Sequence, residues 1–308
     1  MKIGIPRSIL YYDFHKFFKE FFTSLNMELI VSPKTNINIL NNGVLNCVDE
    51  ACLPIKIYHG HVLSLRKRAD YIFVPRIISS YKREYYCPKQ LGLADMILNN
   101  IDSMDKIIDP VLYLDNNRNI RQSLYSLGKS LGKDKKEIRY AISNSYRVFR
   151  VTSKTDVTRD RGRLNILVTG HPYNIEDDFI NMNIKEKLNN KVNLICPKNI
   201  SLNNRRKSSS GLKKRIFWTH GNDIIGSTYY SIDNELIDGI IYLSAFGCGL
   251  DSVLINLVEK KADENEIPLM IFNLDEQTGE AGFNTRLEAY LDMLDWRLRY
   301  ENKLSTSR

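Results

Sequence analysis

Short apolar runs that stop at proline, interleaved with helical stripes, most limit the folds open to this chain. Ile3-Gly4-Ile5 stops at Pro6, Glu28–Val31 before Pro33, Tyr71–Val74 at Pro75, and Val192–Ile195 before Pro197. Apolar runs this brief fit strands buried on both faces, as in parallel sheets. After the first run, Phe14, Phe17, Phe18, Phe21, Phe22 and Leu25 recur with helical period and define one apolar helix face. Ser8 is the expected N-cap of that helix. Ile55–Leu65 supplies a second helical pattern before the Tyr71 strand. Strands that alternate with helices predict a parallel α/β sheet, because parallel neighbours need a crossover connection.

The second half repeats the rhythm. Leu164–Val168 reads as a strand, Met182–Leu188 as helical, and Gly239–Leu243 and Leu269–Leu274 as further strands. Leu287, Tyr290, Leu291, Leu294 and Leu298 form a closing helical stripe. The spacing from Pro6 to Pro33 nearly matches that from Pro172 to Pro197. The expected architecture is two Rossmann-like parallel-sheet domains, 1–155 and 156–308, facing across a cleft. Asn116–Tyr146 is basic and helical in pattern, and the polar stretch Thr152–Arg163 is the expected linker.

Composition narrows the class of protein. A chain of 308 residues with 43% hydrophobic content has enough apolar material for two cores. Pro6 and Arg7 interrupt the N-terminal apolar stretch too early for a signal peptide. No apolar run approaches the roughly 18 residues of a membrane span, so a soluble, cytoplasmic protein with no membrane partner is expected. Five cysteines make a poor disulfide framework, and reduced thiols follow. Part of the net charge of +8 comes from Arg205–Arg215, which has no aromatics to stack on bases. That stretch reads as a solvated, mobile loop, and no nucleic-acid partner is expected.

The chemistry concentrates at element ends. Cys52 precedes Leu53-Pro54, Cys87 precedes Pro88, and Cys248 lies between Gly247 and Gly249. Proline and glycine place these thiols where the backbone turns. Three converging thiolates would suit an iron–sulfur cluster with one iron left open, whereas thiols left scattered would describe a metal-free pocket. No local ferredoxin-type cysteine run exists. Cys47 and Cys196 sit within apolar patterns and read as core fillers; His59 and His61 read as structural or exposed. Ligands of open parallel sheets bind outside the carboxyl ends of strands. The loops expected there carry Arg7-Ser8, Cys87, His171-Pro172-Tyr173-Asn174, Cys248 and Thr278-Gly279-Glu280, while Cys52 begins a helix.

Val48–Pro54, Tyr86–Gly92, Gly170–Asn174, Phe246–Asp251 and Asp275–Gly282 together resemble the acyl-CoA dehydratase activase-related proteins of the wider 2-hydroxyacyl-CoA dehydratase family. The likeness runs from Ile3–Arg7 to Thr285–Ala289. It implies a 4Fe–4S cluster with three cysteine ligands, matched here by Cys52, Cys87 and Cys248. It also implies an ATP-dependent, iron–sulfur activase partner that drives one-electron, low-potential reduction of a small substrate, an acyl-CoA thioester being one candidate. His171 and Glu280 are the expected catalytic residues, and Arg7, Ser8, Tyr173 and Asn174 the expected substrate-binding ones. A second copy of the chain or a related dehydratase subunit is the other expected partner. Gln277 departs from the family loop, which often carries histidine there. Two other readings are a non-catalytic electron relay to an activase and a metal-free small-molecule-binding protein.

Overall fold

A computed structural model of the chain describes residues 1–102, 104, 106–150 and 157–306. It has a mixed α/β architecture in which the paired strands of each sheet run parallel. The chain divides into two units, Met1–Lys154 with Ile216–Gly221, and Thr155–Arg215 with Asn222–Arg308.

The first unit begins β1 (Lys2–Ile5), α1 (Tyr11–Ser24), β2 (Glu28–Val31), α2 (Ile37–Leu45), α3 (Leu53–Leu65), β3 (Tyr71–Phe73) and β4 (Arg76–Ser79). It continues α4 (Pro88–Leu91), α5 (Leu93–Asn100), β5 (Ile107–Ile108), β6 (Val111–Tyr113), α6 (Asn117–Ser130) and α7 (Lys135–Arg150). The main sheet has the order β2-β1-β3-β5, and β4 pairs with β6. The aromatic stripe of α1 is buried as its period requires, with Phe18 and Phe22 stacked edge-on against Phe73 at 4.8 and 5.0 Å.

Ser8 does not cap α1. The chain makes a tight turn, with the Tyr11 N–H donating to the Ser8 carbonyl, and the helix starts two residues beyond Ile9. Ile9 takes φ 49 in that turn, which moves the cap position past the serine. The Ser8 side chain is instead buried.

Helix α2 was not evident in the sequence because its apolar residues are interrupted by asparagines. Asn36 starts it by accepting from the Asn38 and Ile39 N–H groups, the usual asparagine N-cap geometry. Helices α2 and α3 approach so closely that only glycine fits at two crossing points. A Cβ on Gly43 would lie 2.0 Å from the Lys56 carbonyl oxygen, and one on Gly60 1.9 Å from that of Ile39. This contact fixes α3, the helix that Cys52 heads.

His59 and His61 are structural. His59 Nδ1 lies 2.8 Å from the Ile55 carbonyl. The His61 ring is fully enclosed, with Nδ1 2.8 Å from Ser32 Oγ and Nε2 3.0 Å from Thr35 Oγ1. Ser32 Oγ also accepts the Arg7 N–H at 2.7 Å. A neutral ring that accepts from Ser32 and donates to Thr35 satisfies both nitrogens. Burial, aided by the charge of Arg7, pushes the His61 imidazolium down to about 3.

Segment Ile216–Gly221 completes this unit. Tyr85 N–H donates to Phe217 O at 2.8 Å, Thr219 N–H donates to Tyr85 O at 3.0 Å, and His220 Nε2 lies 3.0 Å from Asp13 Oδ2.

The second unit contains β7 (Leu164–Gly170), α8 (Pro172–Glu176), α9 (Ile184–Leu188), β8 (Val192–Ile195), α10 (Leu202–Ser209) and most of α11 (Thr219–Asp233). It ends with β9 (Gly239–Ala245), α12 (Asp251–Glu264), β10 (Leu269–Leu274) and α13 (Glu280–Thr306). Its sheet order is β10-β9-β7-β8. Counted within each main sheet, both orders place the first strand between the second and third.

Three readings change here. Met182 and Asn183 take φ 54 and 57, so α9 starts only at Ile184. The basic stretch is not a mobile loop throughout: Leu202–Ser209 is helical, Ser201 Oγ accepts the Asn204 N–H, and Arg205 and Arg206 both pair with Asp223. Asp223 neutralises charge that the local sequence leaves unpaired. Of the expected linker, residues 152–156 lie outside the described residues. Arg159 is tied to the second unit by Asp238 and by the Glu235 carbonyl.

Two outcomes test this packing. Gly60→Ala forces a Cβ against backbone and should cost about 1–3 kcal/mol, as overpacking does, read as a lowered urea midpoint. For His61, the unfolded imidazole titrates near 6.5 while the folded one resists protonation down to about 3. The unfolded chain therefore binds the extra proton between these values, and stability should fall as pH drops from about 6.5 toward 3, by on the order of 4 kcal/mol. His61→Gln should flatten that part of the urea-midpoint profile. An equally steep profile in the variant would refute the assignment.

Candidate functional site

The second sheet reverses its winding between β7 and β9, so the loops after these adjacent strands open at one point. The register brings Gly170 opposite Leu243. Gly170 has φ 141, and a Cβ there would lie 2.4 Å from the Leu243 carbonyl oxygen. This close approach carries the next residue, His171, toward the loop that follows β9. That loop holds Cys248.

The two side chains meet over Asp251. His171 Nε2 lies 3.7 Å from Cys248 Sγ and 3.4 Å from Asp251 Oδ1. His171 and Asp251 are each 1% exposed. One ligand atom from each of the three residues lies within 4.8 Å of the others, so the group has the spacing of a metal site. The Asp251 carboxylate is already well supplied with donors. Tyr242 OH donates to Oδ1 at 2.7 Å, and Ser244 OH and the Ala245 N–H donate to Oδ2 at 3.2 and 3.3 Å. Burial and the adjacent Asp251 charge push the Tyr242 phenol well above its usual range, which keeps it a donor. The Asp251 N–H points at Cys248 Sγ from 3.5 Å. The sulfur therefore faces a backbone donor and a histidine nitrogen from one buried polar cluster.

Tyr173 and Asn174 belong to the same wall. The Tyr173 ring stacks on His171 with centroids 4.9 Å apart and planes 6° from parallel. Asn174 Nδ2 donates to the Leu243 carbonyl at 3.0 Å, while its buried Oδ1 has no hydrogen-bond partner among the described residues. Asn181 Nδ2 holds α8 in place by donating to the carbonyls of Asn174 and Ile175. Glu280 is placed differently. Its exposed carboxylate starts α13 and takes Lys187 Nζ at 2.7 Å, and that ammonium lowers its pKa. It is not part of the His171, Cys248 and Asp251 group.

In the first unit, Cys52 and Cys87 are the N-cap residues of α3 and α4, each followed by a proline in the first turn. The two thiols lie close enough for Cys87 to raise the Cys52 pKa. Burial is the larger cause of that rise, and the nearby Lys89 ammonium opposes it. Cys47 feels the same neighbours, Cys52 and Lys89, from its half-buried position after α2. Lys89 Nζ donates to the Glu50 carbonyl at 3.2 Å. The next residue, Gln90, is buried and its Oε1 has no hydrogen-bond partner among the described residues. Arg7 lies over the Tyr11 ring at 5.6 Å. Cys196 is different in kind: its enclosed thiol is pushed up to about 11 by burial.

Asp251 is the residue that sequence reasoning passed over. Its signal was present, an acid three positions after Cys248 and at the first helical position of α12. In sequence it resembles an ordinary helix-start carboxylate. Only the fold shows that it turns back beneath the strand ends.

Among known families, the model described as the CoA enzyme activase uncharacterised domain (DUF2229) matches residues 2–200. No curated protein matches the chain. No helix among the described residues is long and apolar enough to cross a membrane.

The donor count at Asp251 makes a stability claim. Tyr242→Phe removes the shortest hydrogen bond to a buried carboxylate and should cost about 1–3 kcal/mol, measured by urea unfolding. Tyr229→Phe, whose OH reaches only the Leu257 carbonyl at 3.4 Å, should cost markedly less. Equal costs would refute a special role for the Asp251 cluster.

Proposed function

We infer the function from one premise: the chain belongs to the CoA enzyme activase uncharacterised domain family. It is an activase-related protein of the acyl-CoA dehydratase kind. On our reading it carries a 4Fe–4S cluster and passes single low-potential electrons to a small substrate, with an ATP-dependent activase as electron donor. Cys52, Cys87 and Cys248 are the proposed ligands.

The observation that carries this reading is the setting of the three thiols. Cys52 and Cys87 occupy the N-cap positions of α3 and α4, and the Cys248 sulfur faces the Asp251 N–H at the start of another helix. Backbone N–H groups at helix starts favour negative sulfur. Cys196 also heads a short helical turn, Pro197–Asn199, but it lies enclosed in the second unit and burial pushes its thiol up to about 11. The orphaned acceptors Gln90 Oε1 and Asn174 Oδ1 lie in the short helices that follow Cys87 and His171. Both suit a polar ligand beside the metal. The thiolate set fits an iron–sulfur group.

When bound, such a cluster supplies a one-electron reducing equivalent whose potential depends on charge, burial and hydrogen bonds to sulfur. The chain's own residues set the last of these. The Asp251 N–H donates toward Cys248 Sγ, and in its Nε2–H tautomer His171 shares one proton between that sulfur and the Asp251 carboxylate, which orients the imidazole. The Tyr173 ring restrains His171 from its other face. Arg7, Ser8, Tyr173 and Asn174 are the proposed substrate contacts. Glu280 is a proposed proton carrier, paired with Lys187.

Anaerobic purification should yield about four irons and four sulfides per chain, as a single 4Fe–4S cluster requires. Replacing Cys52, Cys87 or Cys248 by serine should reduce that content severalfold, whereas Cys196→Ser should not. His171→Phe should keep its iron and move the cluster midpoint to a more negative potential in an EPR-monitored titration, because a lost hydrogen bond to sulfur disfavours the reduced state. Parent protein without iron, or full iron in all three cysteine variants, would overturn the reading.

A further inference from the structure

We propose that the cleft along α6 and α7 binds a nucleoside polyphosphate, at a site independent of the cysteines. The two helices form a hairpin in the first unit. Their inner faces are apolar: α6 buries Ile120, Leu124 and Leu127, and α7 buries Ile138, Ala141 and Ile142. They pack tightly at Gly128, where a Cβ would meet the Ile138 side chain at 2.6 Å. Toward the other end, Tyr146 OH donates to the Asn117 carbonyl at 3.1 Å. The cleft beside this seam has a volume of about 980 Å³, at the upper end of the usual small-ligand range.

The lining is one-sided in charge. Arg121 on α6 and Lys135, Arg139 and Arg147 on α7 surround the cleft with Tyr125 and Tyr146, and among the described residues no carboxylate lines it. Among the described residues, none of these four cations has an ion pair. The contrast within the molecule is sharp, since Arg76, Arg159, Arg205 and Arg206 each engage an aspartate. Four like charges around one cavity repel one another, and a bound polyanion would relieve that repulsion. Three of the four are arginines, whose planar donor fork matches phosphate oxygens in pairs. Tyr125 and Tyr146 add ring faces on which a planar base can stack. A cavity of bounded size, rather than a long basic stripe, favours a small phosphorylated ligand over nucleic acid.

The test uses the full chain at about 150 mM salt, where exposed charges are screened beyond about 8 Å. Isothermal titration with ATP should give saturable binding, and pyrophosphate should bind at least tenfold more weakly because it lacks the base. Arg121→Gln and Arg139→Gln should each weaken ATP at least tenfold, or about 1.4 kcal/mol. Tyr125→Leu should weaken ATP but leave pyrophosphate unchanged. Thermal unfolding of each variant should match the parent, since these side chains lie outside the apolar seam. Absence of saturable ATP binding, or equal affinities for ATP and pyrophosphate, would overturn the proposal. So would unchanged ATP affinity in the Arg121→Gln, Arg139→Gln double variant, or displacement of ATP by single-stranded RNA at lower concentration.

Discussion

A carboxylate buried to 1% exposure must be surrounded by donors, and in the second unit Asp251 imposes that demand on everything near it. An uncompensated charge there would cost several kcal/mol. Tyr242 and Ser244 meet the demand from β9, Ala245 through its backbone, and His171 from the end of β7. The carboxylate in turn fixes what these groups can do. Tyr242 is held protonated, the imidazole is aimed, and the first N–H of α12 is left pointing at Cys248 Sγ. Removing the acid would free the histidine and disturb the sulfur together.

The network exists because of strand order. In a sheet wound β10-β9-β7-β8, β7 and β9 are neighbours although 68 residues of other structure separate Gly170 from Gly239. Their carboxyl-end loops open side by side, as at the switch point of other open α/β sheets. Gly170 sharpens the arrangement, since a side chain there would strike the Leu243 carbonyl. The first unit solves a similar problem by helix packing. Gly43 and Gly60 let α2 and α3 touch backbone to backbone, and α3 then presents Cys52 at its N-cap. In both units a glycine without a side chain sets the position of a residue with chemistry.

Much of the secondary structure was legible locally. The phenylalanine stripe of α1 and the proline-terminated strands are patterns of neighbours, and period alone reports them. What failed did so for local reasons too. Ser8 has the chemistry of a cap, but a left-handed Ile9 moved the helix start beyond it. Asparagines masked α2, and paired left-handed residues at Met182 and Asn183 shortened α9. Arg205 and Arg206 looked solvated because their partner, Asp223, lies in a different helix.

The sequence by itself determined the parallel α/β class, the family to which the chain belongs, and the placement of Cys52, Cys87, His171 and Cys248 at element ends. These follow from periodicity, from turn residues and from short motifs, all of which act over a few neighbours. Only the tertiary structure decided which of those ends share a space. It made Asp251 the centre of a polar cluster, turned Glu280 toward Lys187, enclosed His61 between two hydroxyls, and left four cations facing one cleft between α6 and α7. Those are contacts between residues far apart in the chain, and no local pattern encodes them, because their energies depend on burial and on partners that folding alone brings into reach.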